Sequence, residues 1–273
     1  MFELTLFQRA FLACLIIGFT NGYASAFVLI NRSPLKLTAL SHSLLPGIAL
    51  ATLLVGLSVV SAFVGAVIMA VLIGMFSILI ARRSMLSQDT TLSILYTGAF
   101  ALGIITLNYL GQTQELEGWL LGNILGLTNS DLMMSFGIGF LCVTLLSLFL
   151  RPILLTSFEP DVAQTLGVPV RLINYLGFAL LILVLVTTLQ AVGCILAIGL
   201  IVTPGATVRL FTNRPRLIFI GSGLLGAGGA AVGLLLSYHL SFPASASIVS
   251  TLTIIFLLAW GLRAGLTLHR KAA

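Results

Sequence analysis

The run from Leu176 to Val202 contains no charged side chain, and it is one of a series of such runs along the chain. Charged residues make up only 7% of the 273, as 13 Lys+Arg and 7 Asp+Glu, while 59% are hydrophobic. A soluble domain carries about 25% charged residues. Twenty charges cannot cover a water-facing surface on a chain of this length, so a soluble globular domain is excluded. Disorder is excluded too, because it requires low hydrophobicity and high net charge. Three Cys cannot build a disulfide framework. The fold class that remains is all-α, a polytopic membrane bundle. At about 20 apolar residues per span, there is room for eight to ten helices.

Apolar runs predict nine spans, at roughly 8–30, 35–56, 58–80, 91–110, 131–150, 173–189, 191–208, 217–237 and 246–264. The separation near Gln190 is the weakest, and one long broken helix there gives a competing count of eight. Arg9, the run Ala10–Phe19 and Ala24-Ser25-Ala26 imitate a cleaved signal peptide. A cleaved signal adds nothing to insertion of so apolar a chain, so the expectation is an uncleaved first span. The whole chain, 1–273, reads as one transmembrane domain.

With nine spans and the N-terminus outside, twelve basic residues fall on one side: Arg32, Lys36, Arg82, Arg83, Arg151, Arg171, Arg209, Arg214, Arg216, Arg263, Arg270 and Lys271. Arg9 alone falls on the other. The positive-inside rule then makes the C-terminus cytoplasmic. These charges, single or in small groups between apolar runs, orient a membrane protein and do not form a nucleic-acid surface, so nucleic acid is not expected as a partner; membrane lipid is. Gly221, Gly223, Gly226, Gly228, Gly229 and Gly233 crowd one span, as in tightly packed membrane helices. Cys14, Cys142 and Cys194 all lie in apolar runs and read as buried small hydrophobes.

Ligating side chains at depth in a bilayer are functional candidates because each costs a few kcal/mol. His42 is the candidate here. It lies about eight residues into the second span, about 12 Å deep at 1.5 Å per residue. Thr38 shares its face one turn earlier, and Ser41 is beside it. Pro46, four residues on, lacks the N–H that would bond the carbonyl of residue 42. A His, a hydroxyl and a loosened carbonyl line a possible cation path; the plainer reading is a His bonded to a neighbouring helix. His239 reads as an interfacial residue beside Tyr238, and His269 as part of a solvated tail. Glu115 and Glu117 read as a solvated outer loop.

The longest polar interruption centres on Phe158-Glu159-Pro160-Asp161-Val162-Ala163. Pro160 and the two acids suit the first turn of a short helix, and Gly167 suits its C-terminal cap. A docking element at about 156–170 is expected. No GxxxxGK[ST], GxSxG or HExxH pattern occurs, so the chain is read as a non-enzyme, without catalytic residues or a cofactor of its own. It conducts.

Several segments together resemble the permease subunits of bacterial manganese/zinc/iron ABC importers. The family's second-helix signature, a basic residue then Asp-Ala-x-Ser-His-x-x-Leu-Pro-Gly-x-Ala, is similar to Thr38-Ala39-Leu40-Ser41-His42-Ser43-Leu44-Leu45-Pro46-Gly47-Ile48-Ala49. Trp119 to Leu125 resembles its LFG-x-(I/L)-L segment, and Phe158–Gly167 its F-D/E-P-E/D-x-A-x-x-x-G coupling region. Leu189–Gly193 with Val202–Leu210 resembles LQAVG…VTPAATARL, and Leu236-Ser237-Tyr238 with Phe242-Pro243 resembles LSY…P.

The resemblance implies a vitamin B12/metal-type importer permease fold in the bacterial inner membrane. It implies a homodimer, a separate cytoplasmic ATPase that uses ATP, and an extracytoplasmic substrate-binding protein. The cargo would be zinc, manganese or iron. The alternatives are a metal chelate such as a siderophore, or a gradient-driven carrier. The implied metal pathway residues are His42 and position 38. The ATPase-coupling residues would be Phe158, Glu159, Pro160, Asp161, Ala163 and Gly167. Pro46, Gly47, Pro204 and Gly205 would serve helix packing or kinking. One departure stands out: the family usually has Asp at position 38, and this chain has Thr. Manganese, which prefers oxygen ligands, loses most by that exchange; zinc or iron bound by imidazole loses less.

Overall fold

In hydrocarbon no water satisfies the backbone, so each spanning segment must close its own hydrogen bonds as a helix. The computed structural model describes residues 6–31, 34–56, 58–109, 111, 122 and 124–272; side chains at 34–40, 59, 125 and 265–272 lie outside that set. The described helices are α1 Leu6–Ile30, α2 Pro34–Val55, α3 Val59–Arg83, α4 Gln88–Tyr109, α5 Asn129–Leu148 and α6 Leu150–Phe158. They continue as α7 Pro160–Thr165, α8 Val170–Val192, α9 Cys194–Arg209, α10 Pro215–Leu240 and α11 Ala244–Ala272. Seven of them are long and apolar enough to cross a membrane, and Ser41–Val55 of α2 and Cys194–Arg209 are shorter apolar helices. All nine coincide with predicted spans.

Local chemistry fixes several ends. Ser58 and Ser61 form a reciprocal capping box at the start of α3, and Arg82 and Arg83 occupy its last turn, where cations suit the helix dipole. Thr128 and Asp131 do the same for α5. The α10 helix opens on Pro215, and at its far end Ser237 Oγ donates to the Phe242 carbonyl at 2.7 Å.

Two features differ from the sequence reading. The break between the sixth and seventh spans is at Gly193, not near Gln190. Gly193 has φ +83°, a conformation glycine adopts without a Cβ clash, while Gln190 stays helical. The interruption after Arg151 also holds one helix more than expected. Leu150–Phe158 is helical as α6, with Ile153 and Thr156 buried on one face. Pro152 is in its first turn, where a missing N–H is harmless.

The α1 helix is the central post. Ala24, Ser25 and Ala26 are fully buried within it, as suits a packed span. It meets α10 backbone to backbone: a Cβ at Gly22 would strike the Ser222 carbonyl, and one at Gly226 would strike that of Gly18. The α2–α3 crossing is built likewise, Gly47 and Gly65 each facing the other's carbonyl. On another side of α1, Phe27 fills the notch at Gly177 of α8, and Gly205 of α9 lies against Ser25. Asn21 Nδ2 donates to Thr188 Oγ1 of α8 at 2.7 Å. The α8 and α9 helices therefore form a hairpin against α1, with its apex at Gly193. Two groups close over the apex. Gly122 leaves no room for a side chain against the Val192 carbonyl, and that carbonyl accepts from Ser245 Oγ at 3.2 Å.

These contacts separate two glycines the sequence cannot. Gly226→Ala forces the α1–α10 backbones apart, and overpacking of this kind costs about 1–3 kcal/mol. Gly228 has open space at its Cβ position. Thermal unfolding of the purified protein should show a lowered midpoint for Gly226→Ala and an unchanged or raised one for Gly228→Ala. Equal effects would contradict the packing.

Candidate functional site

His42 lies eight residues into α2, and its neighbours come from α4 and α9. The ring stacks on Tyr96, centroids 5.9 Å apart and planes at 20°, and meets the edge of Phe100 at 5.3 Å. Its Nδ1 is 3.9 Å from Cys194 Sγ, the first side chain of α9. Ser41 and Ser43 on either side of it are buried, while the His42 ring is partly exposed. Thr38 belongs to α2 one turn earlier, but its side chain lies outside the described residues.

Helix packing explains why these groups converge. Pro46 of α2 lies against Gly103 of α4, where a Cβ on the glycine would come within 2.8 Å of the proline Cα. That approach brings α4 one turn deeper against the His42 ring. The Gly193 apex then starts α9 beside α2, which sets Cys194 at the imidazole. The arrangement offers one nitrogen and one sulfur donor with an aromatic wall. Among the described residues no group of three His, Cys, Asp or Glu gathers anywhere.

Sequence reasoning singled out His42 but missed Cys194, Tyr96 and Phe100. Cys194 directly follows the Leu189–Gly193 segment, which was the only available signal. All three cysteines are free and buried, but their surroundings differ: Cys142 Sγ points to the Leu180 carbonyl at 3.7 Å, and among the described residues only Cys194 is paired with a histidine.

The remaining predicted positions are dispersed. Pro204 and Gly205 are buried in α9. His239 is exposed at the end of α10, 5.7 Å from the Tyr238 ring. Glu115, Glu117 and most of Trp119–Leu125 lie outside the described residues, as does the His269 side chain. A cleft of about 680 Å³ between α1, α3, α4 and α8 includes Asn31, Gly74, Gln88 and Phe178 in its lining, with no contribution from α2 or α9. It is separate from His42.

At the segment 158–168, Pro160 occupies the first turn of α7 and Asp161 follows it. The Gly167 N–H donates to the Gln164 carbonyl and the Val168 N–H to that of Ala163, at 3.0 and 2.9 Å. With Gly167 at φ +76°, this is a Schellman cap. Ala163 is fully buried, and Val168 packs on the core. Phe158, Val162 and Leu166 are 57%, 42% and 68% exposed, and Glu159 is exposed beside them. The segment is pinned on one side and presents apolar side chains on the other.

Comparison with known proteins gives a consistent picture. The model of the ABC 3 transport family matches residues 3–262. The chain is 34% identical over 253 residues to the manganese import system permease protein ScaB of Streptococcus gordonii, covering 93% of this chain and 90% of that protein. It is 34% identical over 254 residues to the manganese transport system membrane protein MntC of Halalkalibacterium halodurans, covering 93% and 86%. The solved structure of PsaBC from Streptococcus pneumoniae in complex with Fab superposes with a TM-score of 0.87 at 31% identity, covering 94% of this chain and 92% of that one. Family model, relatives and fold agree, and the chain belongs to the ABC 3 transport family.

Proposed function

We propose that the chain is the membrane-spanning permease subunit of an ATP-driven importer carrying a divalent transition metal across the bacterial inner membrane. The observation that carries this reading is the α6–α7 segment. Large apolar side chains exposed outside the spans mark an interaction surface, and Phe158, Val162 and Leu166 form one held rigidly by Ala163 and the Gly167 cap. A cytoplasmic ATPase docks there, with Glu159 and Asp161 at its polar edge. ATP hydrolysis belongs to that subunit, and this chain is a single permease domain with a coupling segment at about 156–170.

Electrostatics support ATP over an ion gradient as the driving force. Gradient coupling uses acids at depth, and the described acids Asp89, Asp131, Glu159 and Asp161 all sit at helix ends. The arginines at 82, 83, 151, 171, 209, 214 and 216 cluster at the same bundle end as α6 and α7. That end is cytoplasmic by the positive-inside rule, which puts the N-terminus outside and the C-terminus inside. Two copies of the chain, the ATPase and an extracytoplasmic metal-binding protein complete the transporter. Its ion passes His42, the ligating side chain at depth on α2. The names of the relatives, manganese permeases, support a divalent transition ion as cargo.

Two experiments test this reading. Leu166→Asp places a charge in the docking surface and should weaken ATPase binding by about tenfold or more, the scale of an interface hot spot. The melting temperature of the permease should not change, and unaltered ATPase affinity would exclude the segment as the dock. His42→Ala should cut ATP-driven metal uptake into vesicles sharply while the complex still assembles. Normal uptake by that variant would remove His42 from the path.

A further inference from the structure

Two neutral groups meet where the path needs to hold a cation, and one of them is a thiol. His42 Nδ1 and Cys194 Sγ come from helices 152 residues apart in sequence and stand 3.9 Å from one another. At that distance a sulfur–nitrogen hydrogen bond is weak. A tetrahedral zinc bound by both would hold them roughly 3.6 Å apart, from a Zn–S bond of about 2.3 Å and a Zn–N bond of about 2.0–2.1 Å. The pair is thus set to within a few tenths of an ångström of the spacing a bridging ion requires. The His42 ring is partly exposed, and Cys194 is buried beside it.

Charge points the same way. Cys194 is the first residue of the 16-residue α9, and the positive end of a helix disfavours a bare cation. With Thr38 in place of a carboxylate, a bound ion finds no permanent negative charge on this stretch of α2. A thiolate supplies one. Loading exchanges a proton for the ion: the Cys194 S–H bond gives way to a sulfur–metal bond, and the proton passes to water. The neutral imidazole donates its nitrogen lone pair without a proton change. Release reverses both steps, and no electron moves. Two protein ligands hold an ion loosely enough to let it go, as a conducting site must.

We propose that Cys194 and His42 form a nitrogen–sulfur station at which this permease selects a thiophilic divalent cation, zinc, over manganese. Thiolate and imidazole favour zinc, and manganese lies lowest in the affinity order of these ions for such donors. The inference rests on the reading of the chain as a metal permease, and it makes Cys194 a specificity-determining residue for the cargo.

The test has two independent arms. In vesicles containing the complete transporter, ATP-driven uptake of zinc and manganese is measured in competition. Wild type should prefer zinc, and Cys194→Val should lower the zinc-to-manganese ratio by about tenfold or more, since loss of even an indirect support of a metal ligand costs 10–100-fold in affinity. In the second arm, cobalt(II) is added to the purified permease without its ATPase. A thiolate-to-cobalt charge-transfer absorption should appear, persist in Cys14→Ser and Cys142→Ser, and vanish in Cys194→Ser.

Manganese preference in wild type, an unchanged ratio in Cys194→Val, or no thiolate band would overturn the proposal while leaving an ATP-driven metal importer intact. Absence of ATP-driven uptake of any metal would instead remove the importer reading, and the cobalt band alone would then decide whether the station exists. Should Cys194→Val fail to fold, the wild-type band and its cysteine controls still decide.

Discussion

A charge at the centre of a bilayer costs about 2.5–3.5 kcal/mol on insertion scales, and that cost shapes the whole bundle. The four described acids are at helix ends, and three of them, Asp89, Asp131 and Asp161, sit in the first turn of a helix, where acids suit the dipole. The described arginines at 82, 83, 151, 171, 209, 214 and 216 lie at the helix ends of one side of the bundle. Among the described residues, what is left at depth is neutral: backbone carbonyls, hydroxyls, the Asn21 amide, the His42 imidazole and three thiols. Any cation that crosses must be held by these groups, and only where helices bring two of them together. His42 and Cys194 are such a place.

Their meeting depends on how closely the helix backbones approach. Gly22 and Gly226 seat α10 directly on α1, and the other sides of α1 receive the α8–α9 hairpin through Phe27, Asn21 and Ser25. Gly193 allows the chain to leave one helix and begin the next within a single residue. Gly122 and Ser245 then close on the Val192 carbonyl, so the apex has a fixed position and Cys194 follows from it. On the opposite side, the Pro46–Gly103 contact holds α4 and its aromatic rings against His42. A small residue at each crossing therefore translates into the placement of His42 beside Cys194.

The seven long apolar helices and the two shorter ones were legible in the sequence because lipid imposes run length directly, and Pro160 with Gly167 announced a short helix by local backbone chemistry alone. Other features have no one-dimensional trace. Gly193 and Gln190 both interrupt an apolar run, and only the backbone geometry says which one ends a helix. Gly226 and Gly228 differ by two residues, enough to turn one to α1 and the other to open space. The α6 helix, amphipathic and short, lacks the long apolar signal of a span. His42 was legible as a rare ligating residue at depth. Cys194 was not, because a buried thiol in an apolar run looks the same whether it faces a leucine carbonyl, as Cys142 does, or a histidine.

X-ray absorption at the zinc edge reads directly which atoms a bound ion would touch. On zinc-loaded permease the spectrum should require a sulfur scatterer at about 2.3 Å together with a nitrogen shell at about 2.0–2.1 Å, and the sulfur shell should disappear in Cys194→Val. A wild-type spectrum with nitrogen and oxygen neighbours alone would contradict the account.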